Sequence, residues 1–94
     1  MAKAYDEAKA GGRHGGFLRN YEDLPDHLIE KAIRSLSARI AEHQRWIEAP
    51  LQKVGPGTSE TDIRNLATRR WPREVAGFEE QREILQGLLA ERRP

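Results

Sequence analysis

His14 and the arginines beside it are the first residues of this chain whose types and spacing could do chemistry. His14 lies in the glycine-rich stretch GGRHGG, directly after Arg13 and five residues before Arg19. A histidine titrates near neutral pH, as general acid–base catalysis requires, and a guanidinium binds phosphate through forked hydrogen bonds. The stretch predicts either a general acid or base beside phosphate-binding arginines, or a solvated histidine in a linker.

His43 is the second candidate, because it interrupts an apolar helical stripe. A polar group there costs stability unless it is hydrogen-bonded. We interpret it as a core histidine held by one partner, or else as a ligand-facing group in a groove. The histidines lack HxxxH and HExxH spacing and the chain has no Cys. The sequence therefore predicts no metal site, no cofactor and no disulfide.

A third candidate is a cluster of basic residues around Trp71. It comprises Arg64, Arg69, Arg70 and Arg73. Arginines around an aromatic ring suit a phosphate backbone with a stacked base. The alternative is a solvated helix face with Trp71 in the core, which we favour for Trp71 itself. Tyr21 either hydrogen-bonds a substrate phosphate or staples its loop onto the next helix.

Two amphipathic helices must position these residues. One helical face carries Ile29, Ile33, Leu36, Ile40, His43 and Ile47, which predicts a helix over about 25–49 that Pro50 ends. A second helix is predicted over about 72–92, with Val75 and Leu85 on its apolar face. No segment alternates with period two, so the predicted fold is all-α, an antiparallel helical hairpin that places His43 near Val75.

The remaining segments are predicted to be shorter elements. Ser59 and Asp62 resemble a capping pair that begins a short helix over about 59–70, which ends or kinks at Pro72. Residues 11–23 are predicted to be a glycine-rich loop. Residues 1–10 show helix propensity without an apolar stripe, so we treat them as an N-terminal segment, frayed or briefly helical, beside one helical domain over 11–94.

Composition limits the function classes. The 94 residues are 37% hydrophobic and 33% charged, with a net charge of +1. Such a balance excludes a polycationic nucleic-acid coat but leaves room for a local basic site. Apolar runs are too short for a membrane span and no signal peptide is visible, which favours the cytoplasm. The thin core indicates that a partner or a homodimer contributes stability.

Several motifs in order carry a family resemblance. They are GRHGGFLRNY (12–21), the first long helix with WIEAP (46–50), RWPREV (70–75) and EQREILQGLL (80–89). Over about residues 11–90 the chain resembles the C-terminal effector module of bacterial polymorphic toxins, of the Rhs/YD-repeat or haemagglutinin-like type. The resemblance implies a small toxin that acts in the cytoplasm of a competing cell, after delivery by a larger secreted protein, and that has a cognate immunity protein.

The resemblance also implies a chemistry. Many such modules cleave nucleic acid, and RNA needs no metal because its 2′-hydroxyl is the nucleophile. His14 and His43 would then share the acid and base roles. The substrate would be bound by Arg13, Arg19, Tyr21, Arg69, Arg70 and Arg73. The alternative is a non-catalytic helical hairpin that binds another protein.

Overall fold

Five α-helices make up most of residues 3–93, the part of the chain described by the computed structural model. They are α1 (Lys3–Lys9), α2 (Gly15–Tyr21), α3 (Asp26–Glu48), α4 (Glu60–Asn65) and α5 (Trp71–Arg92). A 3-10 turn, Pro50–Gln52, follows α3, and a π-turn, Leu66–Arg70, joins α4 to α5. Residues 3–93 contain no strand, so the predicted all-α class is confirmed.

The long helices α3 and α5 pack as the predicted antiparallel hairpin. The stripe on α3 is buried because it faces α5, with Ile29 fully covered and Leu36 only 7% exposed. His43 contacts Glu74 and Phe78, which flank the predicted neighbour Val75. Gln81 and Arg82 form a polar gap between the apolar residues of α5. Arg82 donates a hydrogen bond across the hairpin to the Ser37 hydroxyl at 3.1 Å.

Helix α1 belongs to the core, whereas the sequence predicts a frayed or briefly helical segment beside the helical domain. Tyr5 and Ala8 are buried among residues of α5 and α2, although only these two α1 side chains are buried. Two residues spaced three apart are enough to give a seven-residue helix one buried face. Gly87 permits the close packing, because a Cβ there would lie 2.6 Å from the Cβ of Tyr5.

The prediction of a loop over 11–23 is wrong for most of that segment, because residues 15–21 form α2. The first two glycines instead end α1. Gly11 has a φ of +88°, its N–H bonds the Ala8 carbonyl, and the Gly12 N–H bonds the Glu7 carbonyl. This is a helix-ending motif that favours glycine. Leu18 of α2 is buried, and this anchors the segment to the core.

The predicted end or kink at Pro72 takes the form of a π-turn. Ser59 caps α4 as predicted, since its hydroxyl accepts a hydrogen bond from the Asp62 N–H at 3.1 Å. The helix widens at Leu66, directly after α4, and the Trp71 N–H bonds the Leu66 carbonyl. The wider turn accommodates Pro72, which has no N–H and would crowd the preceding turn of an α-helix. The helical path therefore continues into α5.

The carboxyl end of α5 is fixed by arginine. Arg92 donates hydrogen bonds to the carbonyl oxygens of Glu22 and Leu24 and to the Asp26 carboxylate at 2.8 Å. The bond from Arg92 is the main reason that the pKa of Asp26 lies below its ordinary value. This end of α5 thus holds the corner between α2 and α3. Within residues 3–93, each helix is too short or too polar to span a bilayer.

Candidate functional site

The clearest cluster of chemically capable side chains joins the α1–α2 corner to α5. His14 Nε2 lies 2.9 Å from Glu80 Oε1, and Arg13 Nε donates to the same oxygen at 2.9 Å. The His14 side chain is 20% exposed and that of Glu80 37%, so water and a ligand can reach both. The structure thus places the predicted pair of Arg13 and His14 on a carboxylate.

His14 adopts a backbone conformation that is rare for its residue type. Its φ of 65° and ψ of 17° are left-handed, and it is the only non-glycine with a positive φ among residues 3–93. Such a conformation costs a residue with a Cβ roughly 1–2 kcal/mol. The tight turn from Gly12 to Gly15 and the first turn of α2 hold it there, since the Gly15 N–H bonds the Gly12 carbonyl and the His14 carbonyl accepts from Leu18.

Glu80 carries a negative charge that its neighbours stabilise. The hydrogen bond from His14 and then that from Arg13 hold the pKa of Glu80 below its ordinary value. An ionised carboxylate only accepts hydrogen bonds, so His14 Nε2 must carry the hydrogen. In the neutral ring this leaves Nδ1 as the nitrogen that can accept a proton.

Arg19 lies beside the same corner. Its Nη1 atom is 3.5 Å from the position that a Cβ on Gly15 would occupy, and its Nη2 is 3.7 Å from that of Gly16. The guanidinium therefore lies over the glycine backbone next to His14, and it is exposed. Arg13 and His14 thus share the Glu80 carboxylate, and the Arg19 guanidinium lies beside the next two residues of the chain.

His43 lies in a different environment. It is 8% exposed, and its ring packs on Trp46 and Phe78 with centroids 4.4 and 5.2 Å away. Nδ1 lies 2.8 Å from the Arg39 carbonyl, to which it donates, and Nε2 faces Glu74 Oε1 at 3.4 Å. Both nitrogens have neighbours within the fold, as the interpretation of a core histidine requires.

The structure does not bring the two histidines onto one substrate. Each faces its own glutamate, and Glu74 and Glu80 are six positions apart on α5. Six residues of α-helix correspond to about 9 Å along the axis and about 120° around it. Glu74 and Glu80 therefore hold the two rings on different sides of α5.

The predicted basic cluster lies on α4, the π-turn and the first turn of α5. Arg69, Arg70 and Arg73 line an open cavity of about 840 Å³ between α4, the π-turn and the 54–58 loop. Trp71 is 4% exposed and packs near Trp46, with ring centroids 5.6 Å apart. The structure therefore places Trp71 in the core, and no base can stack on it.

Tyr21 staples α2 onto the core. It is half-buried and packs on Phe17 with ring centroids 4.8 Å apart. Both rings line a shallow groove of about 560 Å³. Its other walls include Leu24, Leu28 of α3 and Gln81 of α5. Of the two interpretations of Tyr21, this packing supports the staple.

Sequence reasoning missed Glu80, although a signal for it exists. Glu80, Ile84, Gly87 and Glu91 are spaced 4, 3 and 4, so they share a second face of α5. That face receives the N-terminal segment: Glu80 holds His14, Gly87 admits Tyr5 and Glu91 pairs with Lys9. A glycine inside a strong helical pattern indicates close approach by another element.

Comparison with known proteins adds no further assignment. No family model, no curated protein and no solved structure matches the chain significantly. Within residues 3–93, no three His, Cys, Asp or Glu side chains are grouped to hold a metal ion. The assignment of function therefore depends on the side chains themselves.

Proposed function

We propose that this chain is a small bacterial toxin domain that cleaves RNA at the cluster of Arg13, His14, Arg19 and Glu80. The observation that carries the proposal is His14 itself, a strained residue whose imidazole shares a carboxylate oxygen of Glu80 with the Arg13 guanidinium. Backbone strain of this kind persists where the surroundings enforce it, and it concentrates at functional sites. The resemblance to polymorphic toxin effectors supports the same function.

The proposed reaction needs one histidine that takes and returns a proton. His14 Nδ1 accepts the proton of a ribose 2′-hydroxyl while the 2′-oxygen forms a bond to phosphorus. The bond from phosphorus to the 5′-oxygen breaks, and His14 returns the proton to that oxygen. Glu80 orients the ring through Nε2 and stabilises its charged form, as the carboxylate does in a catalytic triad.

The arginines have the electrostatic role. Charge develops on the phosphate oxygens during the displacement, and a positioned guanidinium stabilises that charge. Arg19 is the stronger candidate, because Arg13 is already bonded to Glu80. His43 has no contact with the substrate in this proposal, since it is buried on another side of α5.

Growth of a bacterial culture on induced expression tests the proposal. The native chain should arrest growth and degrade cellular RNA, and His14→Ala should relieve both at matched protein levels. His27→Ala is the control, because His27 is an exposed histidine of α3. Unimpaired growth and intact RNA with a folded native chain would contradict the proposal.

A cognate immunity protein is part of the proposal. A cell that makes such a toxin must block the active site or its approach. The apolar groove beside α2, with Leu28 39% exposed, lies near the catalytic corner and offers a surface for such a protein. The same groove favours the alternative function, a non-catalytic hairpin that binds a protein. In that case, His14 and Glu80 serve only to fix α2, and RNA remains intact in cells that express the chain.

A further inference from the structure

We infer that the arginine-lined cavity beside the π-turn is a second phosphate-binding site, which holds a nucleotide of single-stranded RNA away from the catalytic corner. The inference deepens the proposed function, on which it rests for the identity of the polymer. The cavity is about 840 Å³, a volume that suits a nucleotide-sized group.

The charges of the cavity favour an anion. Its three arginines outnumber its two carboxylates, Asp62 and Glu74. Arg70 lies 3.9 Å from Glu74, but no ion pair within residues 3–93 involves Arg69 or Arg73. Both guanidinium groups are therefore available for a phosphate, which they bind through paired hydrogen bonds.

The shape of the cavity favours a nucleotide over a bare phosphate. Leu66 of the π-turn and Val54 of the 54–58 loop provide apolar surface beside the arginines. The loop is held by a hydrogen bond of 2.9 Å from the Thr58 hydroxyl to the Gly55 carbonyl. A pocket that combines apolar side chains with a few charged groups suits a base joined to its phosphate. The π-turn itself supports the assignment, because such turns are frequent at functional sites.

The position of the cavity makes it an anchoring site. Glu74 lines the cavity and Glu80 holds His14, so about 9 Å of α5 separates the two sites along its axis. A short single strand can reach both. Binding at the cavity would then retain the RNA while the corner cleaves it.

Binding of a fluorescein-labelled oligouridine tests the inference. His14→Ala is the parent protein, because it cannot cleave the probe. The cavity variant adds Arg69→Ala and Arg73→Ala to this parent. The control variant adds Arg34→Ala and Arg39→Ala instead, which removes the same charge from α3. Binding is measured by fluorescence anisotropy over a range of salt concentrations, and the folded state of each variant is checked by thermal unfolding.

We expect the cavity variant to bind more weakly than the control. Each lost phosphate contact should reduce the slope of log Kd against log salt concentration by about 0.7. Equal affinities and slopes in the two variants would overturn the inference. Uridine monophosphate should compete with the probe in the parent, and failure to compete while inorganic phosphate does so would overturn the nucleotide assignment. If the parent binds as predicted but the native chain cleaves no RNA, the proposed catalysis fails and the anchoring site stands.

Discussion

Two glutamates of α5 each pair with a histidine from another part of the chain, and the two pairs differ in geometry, exposure and backbone conformation. His14 and Glu80 are 2.9 Å apart at an open corner, with a strained backbone and an arginine on the same carboxylate. His43 and Glu74 are 3.4 Å apart, and the His43 ring is enclosed by Trp46 and Phe78. The same two residue types therefore form one reachable pair and one packed pair.

The difference shows how the setting of a histidine decides its role. A base must reach a substrate atom and have a free nitrogen. The His14 side chain is partly exposed and contacts Glu80 through Nε2, so we propose Nδ1 of His14 as the base. The nitrogens of His43 face the Arg39 carbonyl and Glu74 instead. We therefore propose catalysis for the first pair and stabilisation of the hairpin for the second.

Replacing the glutamate of each pair by glutamine should give the largest difference in RNA cleavage between the two pairs. Glu80→Gln removes the charge that orients and activates His14, so RNA cleavage should fall by about 10- to 100-fold. At saturating RNA, Glu74→Gln should leave the cleavage rate near that of the native chain, because Glu74 contacts His43 and the anchoring cavity and not His14. Rates on a fluorogenic RNA substrate measure both, and equal losses in the two variants would count against the assignment.

A side chain added at Gly87, where α1 packs closely on α5, should disturb the His14–Glu80 pair and leave the His43–Glu74 pair intact. Gly87→Ala places a methyl group against Tyr5, where a Cβ would be 2.6 Å from Tyr5 atoms. Overpacking of this kind costs about 1–3 kcal/mol in the free energy of unfolding. Because α1 leads into the His14 corner, cleavage should fall as well. Gln86→Ala, at the exposed neighbouring position, is the control for denaturant unfolding and should change neither property.

The backbone strain at His14 predicts a smaller difference between two substitutions. His14→Gly and His14→Ala both remove the imidazole, but only glycine adopts a φ of 65° at no steric cost. The glycine variant should therefore be more stable than the alanine variant by about 1 kcal/mol. Urea unfolding of both variants measures the difference. An alanine variant as stable as the glycine variant would show that the strain is relieved by other means.

The smallest expected effect is the pH dependence of the free energy of unfolding that the His14–Glu80 pair contributes. The pKa of Glu80 is lowered in the folded chain, so its contribution to stability is present above its unfolded pKa, about 4.3. That contribution is lost as the pH falls through the folded pKa. The native chain should thus lose more stability than Glu80→Gln on acidification below about pH 4. Parallel losses, measured by urea unfolding at several pH values, would indicate that the pair is not formed in solution.

Much of the hairpin could be predicted from the sequence because its signals are local and repeated. The stripe from Ile29 to Ile47 and the helix end at Pro50 determine α3, and that stripe also predicts the register with α5. The cap at Ser59 is similarly local. Such features depend on spacing within one segment, which the sequence displays directly.

The proposed catalytic corner could be predicted only in part. His14, Arg13 and Arg19 are neighbours in sequence, so their types and spacing identify them as candidates. Glu80 is 66 residues from His14, and its role depends on how α1 and α2 dock on the second face of α5. The left-handed conformation of His14 is equally invisible in the sequence, because that conformation is typical of glycine.

The most direct test of the account measures RNA cleavage and the free energy of unfolding in the same two variants. His14→Gln should lose cleavage by at least about 100-fold, the usual contribution of a general base, and unfold like the native chain. His43→Gln should cleave RNA at the native rate per folded molecule and be less stable, because it loses ring packing in the hairpin. The opposite result, with cleavage lost in a folded His43→Gln and retained in His14→Gln, would contradict the account.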